Sequence, residues 1–108
     1  MAETFSGAQS ADALYADRAN LASARQAAED WRAQLASNPR DFEAAWKLAR
    51  ADYWLGAHAP EADRRTYLES GIEAGRTAAA LQPNRPEGHF WIAAIMARSP
   101  NRPGSVRD

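Results

Sequence analysis

Alanine fills 26 of the 108 positions, whereas Val occurs once and Ile and Thr three times each. A chain this poor in β-branched residues has little material for strands and abundant material for helices, because alanine loses no side-chain entropy in a helix while β-branched residues suit the pleated sheet. The fold class that follows is all-α. Hydrophobic residues make up 45 % of the sequence and charged ones 25 %, a balance that supports one packed domain and excludes intrinsic disorder, a collagen-like fibre or a membrane-embedded bundle. The formal net charge is -1. No long-range positive field is available to gather phosphate backbones or an anionic membrane surface, so neither nucleic acid nor membrane insertion is expected.

Cysteine is absent, which removes disulfides, thiolate nucleophiles and Cys-containing zinc sites. The start, Met1-Ala2-Glu3-Thr4-Phe5-Ser6-Gly7, has neither the basic nor the apolar region of a secretory leader. A cytoplasmic chain is expected, or a periplasmic one if a leader was removed.

Residues 1–9 are small and polar without periodicity and are expected to form a disordered arm, ahead of a helical domain over 10–98. Ser10 is placed to cap a short helix running to about Ala19. From Leu21, the residues Ala24, Ala28, Trp31 and Leu35 fall on one helical face, and Ser37-Asn38-Pro39 ends that helix. Asp41 caps a third helix with an apolar stripe of Ala44, Ala45, Leu48, Ala51 and Leu55, and Gly56 stands where a helix commonly ends in the left-handed conformation. Ala57-His58-Ala59-Pro60 reads as a loop, followed by a long helix from Glu61 to about Leu81. Within it, Gly71 and Gly75 each cost about 1 kcal/mol against Ala, and their i, i+4 spacing reads as a seam against which a neighbouring helix presses. The last helix opens at Pro86-Glu87 and ends near Arg98, and residues 99–108 are expected to form a disordered tail.

Pro39 and Pro83 are 44 positions apart, and that offset lays Phe42-Glu43-Ala44-Ala45-Trp46-Lys47-Leu48-Ala49 on Pro86-Glu87-Gly88-His89-Phe90-Trp91-Ile92-Ala93. A repeat of this length implies stacked helix pairs, each burying its face against the next. The unit 42–83 resembles the tetratricopeptide repeat (TPR) family, with Leu48 and Ala49 at its Leu-Gly pair, Gly56 at its inter-helix turn, Gly71 and Ala78 at its small positions and Pro83 at its closing Pro. An excess of about ten residues, placed at 57–66, separates the unit from the family's usual length. More narrowly, the run 46–56, Gly71-Ile72-Glu73-Ala74-Gly75 and Glu87-Gly88-His89-Phe90-Trp91 look like bacterial repeat proteins related to the T component of TRAP transporters, over about residues 11–97. The resemblance implies a TPR-like stack of antiparallel helix pairs, about five helices in all. Members of that group have further helices after the His-Phe-Trp helix, so it also implies either a truncated relative or one whose open end is covered by a second copy.

In the resembled fold the first helix of each unit lines a concave groove. That places Glu43, Trp46, Lys47, Arg50, Tyr53 and Trp54 along it from one helix, and Phe90 and Trp91 from the next. Trp, Tyr and Arg on one surface suit a binding hot spot, although the same rings would also fill a core otherwise made of Ala. Lys47 and Arg50 are one turn apart and suit a carboxylate. Trp46 and Arg50 stand where chaperone-binding members carry Lys and Asn, so chaperone binding is not implied. Asp17, Arg18, Glu29, Asp30, Asp63, Arg64 and Arg65 read as solvated helix faces.

Nothing in the sequence has the pattern of a catalytic constellation. His58 and His89 have no second ligand at helical spacing, and Gly71, Gly75 and Gly88 fall within helices rather than after strands. Glu43 and Glu87 read as helix N-terminal charges. The expectation is a non-enzymatic interaction or scaffold module, without cofactor or metal, that binds a protein or peptide. A TRAP-associated component binding a small ligand or a substrate-binding protein is one alternative, and a remnant of a longer repeat protein is another. Phe90, Ile92, Ile95 and Met96 suggest a homo-oligomer formed through the uncapped last helix.

Overall fold

The structure, a computed structural model, describes residues 10–98. Among them are five helices and no strand: α1 (Ala11–Ala16), α2 (Leu21–Ser37), α3 (Phe42–His58), α4 (Glu61–Leu81) and α5 (Pro86–Arg98). The expected arm at 1–9 and tail at 99–108 lie outside the described residues.

Local chemistry sets most of the helix starts. Ser10, Asn20 and Asp41 each hold an extended backbone and accept a hydrogen bond from an amide in the first turn, at Ala13, Ala22 and Ala44. Each bond satisfies one of the donors a helix start leaves free. α4 has no side-chain cap, and Glu61 and Asp63 in its first turn favour the positive end of the macrodipole instead. α2 and α4 end alike. Asn38 and Gln82 are driven out of helical geometry, both with φ close to −137°, by the proline that follows each of them. The 44-residue offset seen in the sequence is therefore the repetition of one turn.

Short connections make sequential neighbours antiparallel. α3 is the central helix, packed against α2, α4 and α5, while α1 lies on α2 and α5 also packs on α4. The large core residues are Trp31, Phe42, Leu48, Leu55, Leu68 and Ile95, set among alanines at 24, 27, 28, 44, 45, 49, 51 and 78 that are at most 1 % exposed. Side chains this small let helix backbones approach closely, and the shared surface substitutes for volume per residue.

The seam on α4 is real. A Cβ on Gly71 would lie 2.6 Å from Ile95 Cδ1 and one on Gly75 would lie 2.7 Å from Ile92 Cγ1, so α5 sets its two isoleucines directly on these glycines. This corrects the expectation that Phe90, Ile92, Ile95 and Met96 together form an open apolar end: Ile95 is buried, Ile92 and Met96 are half-buried, and Phe90 alone is exposed. Gly56 is also different from expectation. It does not end α3 but lies inside it, and the Leu68 side chain of α4 occupies the space a Cβ there would need. α3 continues to His58, and only Ala59-Pro60 joins it to α4. The excess assigned to an insertion at 57–66 is thus ordinary helix at the ends of α3 and α4. At the other end of the domain, α1 stops at Ala16 rather than near Ala19.

Candidate functional site

The polar and aromatic side of α3 meets α1 at one edge and α5 at the other. Toward α1, the Arg50 guanidinium lies 4.0 Å from the ring centroid of Tyr15, 5.1 Å from that of Trp46 and 5.5 Å from that of Trp31. Arg18, in the turn after α1, lies 4.4 Å from the Tyr15 ring and 4.9 Å from the Trp54 ring. Cations over ring faces are held by the quadrupole of the π system, and more strongly where water is excluded. Burial lowers the Arg50 pKa from its ordinary value, opposed by Tyr15 and by the Asp12 charge. Lys47 Nζ donates to Asp12 at 3.1 Å and lies 3.8 Å from Glu43, which is itself exposed. Trp54 stacks on His58 with ring centroids 3.6 Å apart.

Four donors in this contact are buried without an acceptor among the described residues: Nε of Arg18, Nε of Arg50, and the indole nitrogens of Trp46 and Trp54. Each such orphan costs free energy, about 1–3 kcal/mol.

Toward α5, Tyr53 packs on Trp91 at 5.4 Å, and Phe90 meets Trp91 edge to face at 4.7 Å. Arg98 donates to the Tyr53 hydroxyl at 2.8 Å and covers its ring at 4.5 Å. A shallow depression lined by Pro86, Glu87, Phe90 and Trp91 adjoins this edge. Phe90 is 57 % exposed, the one large hydrophobic side chain among the described residues to be so open.

The eight residues expected along a groove are thus divided. Lys47, Arg50 and Trp54 meet side chains from α1 and its following turn, Trp46 lies under Arg50 and packs against Phe42, Ala45 and Ala78, Tyr53, Phe90 and Trp91 gather at α5, and Glu43 stands at the rim. Trp31 fills the core at 3 % exposure. Arg18, read as solvated, is instead stacked on two rings. Asp17 and Arg64 are exposed, as that reading has them, and each also makes a local hydrogen bond: Asp17 accepts from Ser23 Oγ at 2.6 Å, and Arg64 Nε donates to the Ala59 carbonyl at 2.6 Å. The two histidines make local contacts, His58 Nδ1 with the Trp54 carbonyl and His89 Nε2 with the Pro83 carbonyl, both at 2.9 Å.

Sequence reasoning missed Asp52. It is wholly buried on the core side of α3, beneath Arg32 of α2 and Ser70 of α4, and both of its oxygens lack a hydrogen-bond partner. Burial pushes its pKa up to about 7, against the opposing effects of Ser70 and Arg32. The signal was in the register: position 52 is four residues after Leu48 and three before Leu55, which puts an acid on the apolar stripe.

A family model described as Regulator of microtubule dynamics protein 1-3 (RMD1-3) matches residues 8–101, a span that includes all five helices. The chain belongs to the RMD1-3 family. This overturns the resemblance to tetratricopeptide repeats and to relatives of the TRAP T component. The features that carried that resemblance are a repeated proline turn, small residues at close helix contacts and aromatics one turn into a helix. No curated protein and no solved structure matches the chain significantly. Among the described residues of this RMD1-3 member, no helix is long and apolar enough to cross a membrane, and no group of three His, Cys, Asp or Glu is placed to hold a metal ion.

Proposed function

We propose that the chain is a non-enzymatic protein-binding module that meets its partner through the α3–α5 edge. The observation that carries this reading is Phe90, exposed and edge to face on Trp91, whose other aromatic neighbour, Tyr53, carries Arg98 further along the same edge. An aromatic ring held against other rings has already lost its rotamer freedom, so a partner that covers it gains buried area at small entropic cost. Arg98, bonded to Tyr53 through one nitrogen, retains further donors to orient a polar partner group.

The family description, regulation of microtubule dynamics, makes polymerised tubulin the first partner to test. In a co-sedimentation experiment the chain is expected to pellet with microtubules, and Phe90→Ala, a surface change that leaves the core intact, is expected to weaken binding by about tenfold. Equal pelleting of the variant and the parent chain would remove the edge from the interface. A parent chain that stays in the supernatant would remove microtubules as the partner.

A further inference from the structure

We infer that the seam between α1 and α3 is a second recognition site, one that takes an acidic segment of a protein partner with a carboxylate on Arg50. This rests on the reading of the chain as a protein-binding module, but it uses a different surface from the α3–α5 edge.

Three observations converge on it. The first is the state of Arg50: its guanidinium is fixed among Tyr15, Trp46 and Trp31, yet it forms no ion pair and no hydrogen bond with any described group. Six of the eleven Lys and Arg side chains among the described residues find an acid, Arg25, Arg32, Lys47, Arg65, Arg76 and Arg85, whereas Arg50 and its neighbour Arg18 do not. A guanidinium oriented by stacking presents its planar fork ready for bidentate carboxylate binding, with the ordering of the side chain already complete.

The second is the imbalance of the seam. Its four buried orphans, on Arg18, Arg50, Trp46 and Trp54, are all donors, and no orphan acceptor accompanies them. Buried polar groups in native folds are normally paired, so this contact carries an excess of donors and, with the Arg18 and Arg50 guanidinium groups both on Tyr15, of positive charge, which favours an acceptor-rich ligand at its open rim. A peptide with successive acidic side chains supplies carboxylate oxygens and backbone carbonyls together.

The third is Asp12, which shows what the seam selects. This α1 carboxylate already lies in it, held by Lys47 at 3.1 and 3.3 Å, and its charge reaches Arg50. It neutralises Lys47 and leaves Arg50 unpaired. An incoming acid would therefore complete Arg50 and compete with Asp12 for Lys47.

The test is a titration of the full chain with a synthetic eight-residue glutamate peptide, read by tryptophan fluorescence and by calorimetry, with a serine peptide of equal length as control. The parent chain is expected to bind the glutamate peptide and not the serine peptide, with affinity that falls as salt is raised. Arg50→Gln is expected to weaken binding about tenfold or more, the scale of a lost charge-assisted bond, while Arg50→Lys keeps part of it. Asp12→Asn is expected to tighten binding by freeing Lys47, a gain that simple disruption of the seam would not produce. Arg76→Gln, which removes one charge from the exposed side of α4, is expected to change nothing, and circular dichroism checks that each variant is folded. Equal binding by Arg50→Gln, or equal weakening by Arg76→Gln, would overturn the proposal. So would Arg50-dependent binding to phosphatidylserine vesicles without binding to the peptide. If the peptide fails to bind while Phe90-dependent association with microtubules persists, the acidic site falls and the protein-binding reading stands.

Discussion

The Asp52 carboxylate lies 3.8 Å from Arg32 Nη2, one side chain wholly buried and the other 39 % exposed. Arg32 is turned toward the surface, where it donates to Glu29 at 2.8 Å and to Ser70 at 3.0 Å. The acid is left near a cation without a bond to it, and a charge buried in this way is costly unless it takes up a proton.

A pH dependence of stability follows. Because burial raises the Asp52 pKa from 3.8 to about 7, the folded chain holds a proton that the unfolded chain has released throughout that interval. The sign is fixed by linkage: this residue's stabilising contribution is complete below about pH 4 and is lost as pH rises through about 7, a change on the order of 4 kcal/mol. Urea unfolding of the parent chain is expected to show this decline. Asp52→Asn is expected to flatten it, becoming the more stable of the two at pH 8.5. Parallel pH profiles would show that Asp52 does not titrate in this way.

The glycine seam offers a cleaner cycle. Gly71→Ala should gain about 1 kcal/mol of helix propensity and lose more through overpacking against Ile95, for a net loss of about 1–2 kcal/mol. Ile95→Val removes the Cδ1 atom that the new methyl would meet, so the double variant is expected to be more stable than the sum of the two single effects. Chemical denaturation of the four proteins measures the coupling, and strict additivity would contradict the close approach.

α1 is held more by rings than by charge. Tyr15 lies 6.0 Å from the Trp31 ring and beneath both Arg18 and Arg50, contacts worth about 2 kcal/mol together. The Lys47–Asp12 pair is largely solvated on its Asp12 side and should contribute under about 1 kcal/mol. Amide exchange in α1 is accordingly expected to quicken strongly in Tyr15→Ala and little in Asp12→Asn. The reverse order would show that the ion pair holds the helix.

Much of the fold was legible because its determinants are local. Ser10 and Asp41 announce helix starts, Pro39 and Pro83 announce ends, and the spacing of Trp31 with Ala24 and Ala28 assigns a buried face. Gly71 and Gly75 were also readable as a seam, since only a close neighbour explains two glycines one turn apart. What failed needed knowledge of which helix lies on which. Gly56 looks like a helix end until Leu68 is placed against it, and Arg18 looks solvated until Tyr15 and Trp54 flank it. The candidate site shared this limit: periodicity put Arg50 and Trp46 on one side of α3, and nothing local revealed that Tyr15 of α1 would lie against Arg50. The family resemblance erred for a related reason, because a proline turn with small residues is grammar common to many helical hairpins.

The alanines at the helix contacts reverse the usual hazard of a buried position. In a core of Leu and Phe, the damaging accident is truncation, which leaves a void. Here the side chains at positions 27, 45, 49, 51 and 78 are already wholly buried and nearly as small as side chains can be, so there is little left to lose and no room to gain. Selection at these sites should act as a ceiling on size rather than a demand for hydrophobicity, with Gly or Ser tolerated in more backgrounds than Val or Leu. A lineage of this chain could then drift freely in surface charge while its interior alphabet stayed confined to the smallest residues.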